Sequence, residues 1–296
     1  MNRRRIPVLM STVLILVALA GCSSKAKTGE ESKATPTPGL KTLLAGTFTI
    51  GTDMPYAPFE SLNAKGDTVG FDIELFDEIA GRLGYKTKYN NAVFDTIFTA
   101  LGTKWDIVVS AVTGYAPAGS PAAETVAGRA KIVIFSKPYY PSLQSLAVNT
   151  SKTPNIKSID DLKSGDRVAV QTGTTGAFWA QVNLQPKGID TVSFAKAPDM
   201  FLALEAGRVK GIINDLPVSQ DAVKGKADLA VVQQIETGEE YAFAFAKENP
   251  ALRDAINVQL TALFDDGTYA RLYKKYFAGQ QLPSYAKEAT PSSSPS

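Results

Sequence analysis

The chain has 296 residues, 44% of them apolar, with 31 basic and 29 acidic side chains, one cysteine and no histidine. The lack of histidine excludes a histidine-based triad or a His-rich zinc site and leaves carboxylates, lysines and hydroxyls as the only candidate catalysts. A lone cysteine excludes an internal disulfide, and a net charge of +2 leaves no basic excess to neutralise phosphates, so nucleic acid is not an expected partner.

The amino end sets Arg3-Arg4-Arg5 before an apolar run over 8–20, followed by Gly21 and the single Cys22. This reads as a lipoprotein export signal over 1–21. The basic start stays on the cytoplasmic side, the run has the length of a signal's apolar core, and a thiol at the cleavage point can take lipid. A run of 13 residues that includes Ser11 and Thr12 falls short of the roughly 20 needed to cross a bilayer. Loss of residues 1–21 removes three arginines and no acids, so the mature chain has 28 basic and 29 acidic residues, a net charge of −1. The expected location is extracytoplasmic, with lipidated Cys22 holding the chain to the cell membrane. Residues 22–42 contain few apolar side chains and two Thr-Pro steps and read as a flexible tether.

Beyond the tether, short apolar strands alternate with helical patterns, the mark of an α/β fold. A strand over 48–52 precedes a helix whose apolar face carries Ile73, Phe76, Ile79, Ala80 and Leu83 and which Gly84 closes. A helix around Ile97 and Leu101 and a strand over 107–112 follow. A second α/β stretch has a strand over 168–171, a helix over 200–206 and a strand over 209–213. Strand-like segments over 143–149 and 241–246 look like two hinge crossings, which would make the first lobe discontinuous: 43–141 with 243–283, around a second lobe over 142–242. Asn249-Pro250 is a helix start, Gly267 its end, and 284–296 is polar and expected to be disordered.

Four segments fall at strand ends or helix starts, where an α/β lobe exposes ligand-contacting atoms. The first, from Gly51 to Glu60, is a proline-stiffened loop that can present Asp53 and Tyr56. The second is Ser110-Ala111-Val112-Thr113, whose hydroxyls could hold a polar group or bond their own backbone. The third, Gln171-Thr172-Gly173-Thr174-Thr175-Gly176, opens a helix and offers amides to an anion. It lacks the Gly-Lys-Ser/Thr ending of a phosphate loop, so a carboxylate suits it better than a nucleotide. The fourth is Asn214-Asp215-Leu216-Pro217, where a carboxylate in a cleft needs a cation, such as an ammonium group, or else caps the following helix.

In order, with Gly70-Phe71-Asp72, Phe135-Ser136-Lys137-Pro138-Tyr139-Tyr140, Gly207-Arg208-Val209 and Asp266-Gly267-Thr268-Tyr269, these segments resemble bacterial extracellular solute-binding proteins of family 3, the polar amino acid receptors of ABC importers. The resemblance implies a two-lobed, periplasmic-binding-protein-like type II fold that closes on one free amino acid, delivers it to a membrane permease, catalyses nothing and needs no cofactor or metal. A monomer is expected. Position by position, Asp215 matches the acid that pairs with the ligand α-amino group. Thr113, Thr174 and Thr175 match groups around the α-carboxylate, and Arg129 the arginine that clamps it. Tyr56 and Phe94 match aromatic walls, and Asp53 and Ser110 line the side-chain pocket. The pattern departs at an insertion after Thr113, which separates it from Arg129 by far more than the usual helical turn. Asp53 between aromatic walls suits a basic amino acid first and glutamine second, and disfavours glutamate or aspartate. The alternative on the same fold is a cyclohexadienyl-dehydratase-like enzyme, for which Glu60 or a residue of the inserted loop would supply the acid.

Overall fold

The computed structural model describes residues 39–288; the expected signal, Cys22 and most of the tether lie outside them. In chain order, β1 (Thr47–Thr52) leads to a small hairpin, β2 (Ser61–Leu62) and β3 (Thr68–Val69), and then to α1 (Phe71–Leu83). Gly84 ends α1 in the left-handed conformation. Next come β4 (Lys86–Asn91), a 3-10 turn over Phe94–Ala100, β5 (Ile107–Val108), β6 (Thr113–Tyr115), α2 (Pro121–Ala130) and β7 (Val133–Phe135). The second half has β8 (Tyr140–Asn149), β9 (Arg167–Gln171), α3 (Thr175–Asn183), β10 (Asp190–Phe194), α4 (Ala197–Glu205), β11 (Gly211–Asp215) and α5 (Leu216–Val223). It ends with β12 (Leu229–Tyr241), β13 (Ala244–Ala246), α6 (Pro250–Asp265) and α7 (Thr268–Tyr276).

The strands make two main sheets, and β6, which lies between β5 and β7 of the first in the chain, joins the edge of the second. The first has the order β4-β1-β5-β13-β7 and the second β10-β9-β11-β8-β12-β6. In each, a parallel set joined through helices meets antiparallel strands: β13 between β5 and β7 in the first, β8 and β12 in the second. The chain passes from one sheet to the other beside itself. Tyr139 donates its amide to Tyr241 O (2.9 Å) and Ser136 to Phe243 O (2.9 Å), so two crossings run side by side. On β12 the register shifts between Ile235, opposite Gln144, and Glu239, opposite Ser142, leaving two extra residues on that strand as a bulge.

Buried aromatics fill the space beside the crossings. Phe59 has no exposed surface and stands edge-on to Tyr140 at 5.0 Å and to Tyr241 at 5.2 Å, with Phe277 at 5.5 Å. The loop that carries Phe59 also caps α1: Phe71 and Asp72 give their amides to Pro58 O (2.9 Å) and Phe59 O (3.0 Å), satisfying donors that a helix start leaves open. Gly70 makes this possible. At φ 139 and ψ 173 it adopts a conformation that only glycine takes readily, and a Cβ there would lie 2.0 Å from Phe59 O.

Four expectations need correction. The strand expected over 107–112 stops at Val108, and Ala111 turns to φ 45 before β6 begins. Asp72 holds that turn by accepting the Ala111 amide at 2.9 Å, so hydrophobicity ran on where the backbone did not. The segment 241–246 is the end of β12 and the separate β13, and the helix expected around Ile97 and Leu101 is a 3-10 turn. The tail, expected to be disordered from Ser284, is held at its start: Tyr285 packs 4.8 Å from the Phe264 ring and Lys287 donates its amide to Phe264 O at 2.8 Å. One aromatic ring provides enough apolar surface to dock a segment whose composition is otherwise polar. The tether's end is held as well, since Lys41 O accepts from Asn249 Nδ2 at 2.9 Å.

Candidate functional site

Strand ends and helix starts of the two sheets converge on a cavity of about 20 Å³, and all nine residues expected to bind ligand stand in its wall. Asp53, Tyr56, Phe94, Ser110, Thr113 and Arg129 come from the first half of the chain, and Thr174, Thr175 and Asp215 from the second. Such a volume suits about one water. The cavity as it stands is smaller than an amino acid.

At one end is Arg129, buried near the end of α2. The insertion after Thr113 forms β6 and then α2, which starts with Pro121 and is capped by Ser120, whose Oγ accepts the Ala123 amide. The helix brings the guanidinium back into the cavity. Its Nη1 donates to Thr113 O (2.9 Å) and its Nη2 to Gly173 O (3.1 Å), while the Phe94 and Phe98 ring centroids lie 5.3 and 5.4 Å away. Burial lowers its pKa to about 10, with Glu239 and Asp215 pulling the other way, so it is charged at neutral pH.

Thr174 caps α3: its hydroxyl accepts the Ala177 amide and donates to Gln171 O. That hydroxyl is thus engaged as a helix cap, while the residue still lines the cavity. Thr113 and Thr175 instead aim their hydroxyls at a carboxylate the sequence reading did not single out. Both donate to Glu239 Oε2, at 2.7 and 2.6 Å. Glu239 is 1% exposed.

Asp215 faces three neutral donors. Its Oδ2 accepts from Tyr56 Oη (2.7 Å) and Tyr241 Oη (2.5 Å), and its Oδ1 from Gln144 Nε2 (2.5 Å). Gln144 Nε2 also lies 3.3 Å from Glu239 Oε1, so one amide bridges two acids. Burial first and the charge on Glu239 second push the Asp215 carboxyl up to about 6. Hydrogen bonds without a countercharge leave this site suited to a cation.

At the other end, Asp53 Oδ2 accepts from Gln171 Nε2 (2.7 Å) and the Phe94 amide (3.2 Å). Its Oδ1 pairs with Lys196 Nζ, which reaches across from the residue before α4. Burial raises the Asp53 carboxyl and Lys196 opposes the rise. Ser110 Oγ accepts the Asp53 amide and donates to Glu60 Oε1, both at 2.9 Å, which fixes the loop beneath the cavity. Glu60 is fully buried, and burial followed by the nearby Asp72 holds its carboxyl well above the usual range. It lies behind Ser110 and outside the cavity wall. Gln144, Tyr241, Glu239 and Lys196 thus take part in the site without having been read from the sequence; Gln171 was within a noted segment and had no assigned role.

The family model described as bacterial extracellular solute-binding proteins, family 3, matches residues 48–279. The ABC transporter arginine-binding protein 1 of Escherichia coli (strain K12) is 30% identical over 234 residues, covering 77% of this chain and 89% of that protein. Among solved structures, an ancestral arginine-binding protein bound to arginine is 33% identical with a TM-score of 0.71, over 79% of this chain and 99% of the other. An ancestral amino acid-binding protein, a precursor of cyclohexadienyl dehydratase, is 34% identical with a TM-score of 0.68, over 78% of this chain and 96% of the other. With a match that spans most of the folded body and two lobes that meet over one polar cavity, the chain belongs to the bacterial extracellular solute-binding proteins of family 3.

Proposed function

We propose that this chain is the extracytoplasmic receptor of an ABC importer, which closes two lobes on one free polar amino acid and hands it to the permease. One observation carries the reading: Asp215 without a countercharge and the buried guanidinium of Arg129 share a single cavity wall. An acid for an ammonium and an arginine for a carboxylate are what a free amino acid requires, and charge-assisted bonds of this kind contribute about 1.5–3 kcal/mol each. Thr113, Thr174, Thr175 and Ser110 complete the polar lining, and Tyr56 and Phe94 the aromatic walls. The proposed lobes are 43–141 with 243–283, and 142–242.

A basic amino acid is the proposed ligand, with glutamine second. Three carboxylates, Asp53, Asp215 and Glu239, line or back the cavity against two cations, Arg129 and Lys196, while Glu60 behind Ser110 is held toward its neutral form by burial. A ligand with one net positive charge balances them. The arginine-binding relative supports the same choice. The test is a thermal shift with single amino acids. Arginine or lysine at 100 times its Kd adds about 2.7 kcal/mol and raises Tm by roughly 5–10 °C in a body of this size. Glutamine comes next and glutamate last. If no amino acid shifts Tm, the receptor reading fails; if glutamate gives the largest shift, the basic preference fails.

The enzyme alternative rests on the precursor of cyclohexadienyl dehydratase among the similar structures. The placement of Glu60 behind Ser110 speaks against it, because no acid in that position reaches a bound ring. Turnover of prephenate or arogenate by the purified protein would reverse the choice. Anchoring is proposed through Cys22, which follows the apolar run over 8–20. Cys22→Ser is expected to leave the exported protein unprocessed or released, as read by membrane fractionation and mass of the amino end. A serine variant that is processed and partitions like the parent would remove the lipid anchor from this account.

A further inference from the structure

The lysine behind Asp53 belongs to no motif, yet its surroundings are specific. Lys196 stands between β10 and α4 of the second sheet's lobe, and every oxygen around its ammonium group comes from the other lobe. These are Asp53 Oδ1, Ala92 O at 2.8 Å, Asn91 Oδ1 at 3.1 Å and Met54 O at 3.4 Å. Asn91 Oδ1 is itself positioned by the Met54 amide at 3.1 Å, and Asp53 Oδ2 by the Phe94 amide. The residues at the ends of β1 and β4 thus turn their oxygens toward one point, where the ammonium group sits. Asp53 lies in the cavity wall and Lys196 does not, so the carboxylate separates the lysine from any side chain in the pocket.

We propose that Lys196 is a specificity-determining residue of this site: from behind Asp53 it offsets the charge that the pocket shows to the ligand side chain, and so sets the preference between cationic and neutral amino acids. This rests on the reading of the chain as an amino acid receptor. With the lysine in place, Asp53 attracts a guanidinium or ammonium head less strongly, while its effect on a neutral amide is small. A salt bridge of this kind also ties the lobes together, but that tie acts on every ligand alike. The two roles are separated by comparing ligands of equal size and different charge.

The experiment measures arginine and glutamine affinities by calorimetry in the wild type, Lys196→Met and Lys196→Arg. The Met variant keeps the apolar stem and removes the charge. The arginine-to-glutamine affinity ratio is expected to rise about tenfold in Lys196→Met and to stay near the wild-type value in Lys196→Arg. If the two affinities fall together in Lys196→Met, the residue is only a tie between lobes and the proposal is overturned. A ratio that stays put in Lys196→Met overturns it as well, with the receptor reading intact. A wild type that binds neither these nor any other free amino acid overturns the receptor reading and takes this proposal with it.

Discussion

Asp215→Ala is expected to lower affinity for the preferred amino acid at least about 100-fold, roughly 3 kcal/mol, because a buried ammonium loses the carboxylate proposed to pair with it. Folding is expected to survive: the alanine takes an acceptor from Tyr56, Tyr241 and Gln144, but it also removes a carboxyl that burial and Glu239 hold at about 6 against a usual 3.8, which is a cost to the unliganded protein. A folded Asp215→Ala protein with unchanged affinity would falsify the assignment. The same shift gives a pH signature. Ligand ammonium pairs with the ionised acid, so as pH falls through about 6 binding has to expel a proton and affinity declines, by up to about tenfold per unit. Stability of the unliganded protein moves the other way. A carboxyl with a raised folded-state pKa takes up its proton more readily when folded, so its burden on folding is present at neutral pH and is relieved as pH drops through 6. Asp72, also pushed up to about 6 by burial, adds to that relief. Asp215→Asn retains a side chain of similar shape and loses the part of the pH dependence of binding that belongs to Asp215. If wild-type affinity stays flat between pH 7 and 5, the assignment of that titration to Asp215 is wrong.

Phe59→Ala is expected to destabilise the protein by about 4 kcal/mol, the middle of the range for removal of a buried ring. Phe59 contacts Tyr140 and Tyr241 at the crossings and Phe277 beyond them, and its carbonyl accepts the Asp72 amide at the start of α1. The cavity left by the ring cannot collapse without moving one of these attachments. Urea unfolding reads the effect as a lower midpoint at unchanged slope. A midpoint within experimental scatter of the parent's would show that the aromatic cluster repacks freely.

Periodicity made the architecture legible where a helix or strand buries one continuous face. The apolar stripe of α1 with Gly84 behind it and the Asn249-Pro250 start of α6 are local signals that tertiary packing reinforces. β4 had no such signal. It is an edge strand of sequence KTKYNN, with no buried residue, and its place depends on the neighbouring β1. Site residues on motifs were legible for a related reason, because strand ends and helix starts are fixed by the fold and offer free backbone groups. Arg129 was matched by its following residues, but its route through α2 into the cavity is a matter of packing. Glu239 sits in the run Glu236-Thr237-Gly238-Glu239-Glu240 of a long strand, which carries no apolar alternation, so a buried acid there looks like any solvent-facing one. Lys196 meets Asp53 across 143 positions of sequence, and no spacing rule connects them.

The bulge on β12 gives the cavity a form of adjustment that needs no substitution in it. Side chains along a strand alternate between faces, and β12 buries Ile235, Thr237, Glu239 and Tyr241 in turn while Glu236, Gly238 and Glu240 point away or lie near the rim. Two residues of slack separate the register at Gln144 from that at Ser142. Deleting one of them, with Glu239 kept opposite Ser142, would leave a single extra residue and change the local twist that aims Glu239; removing both would restore the alternation with no bulge to aim it. Length variation in this short stretch therefore acts as a dial on how the acid beside Thr113 and Thr175 is aimed, while the two sheets and the crossings that join them remain as they are.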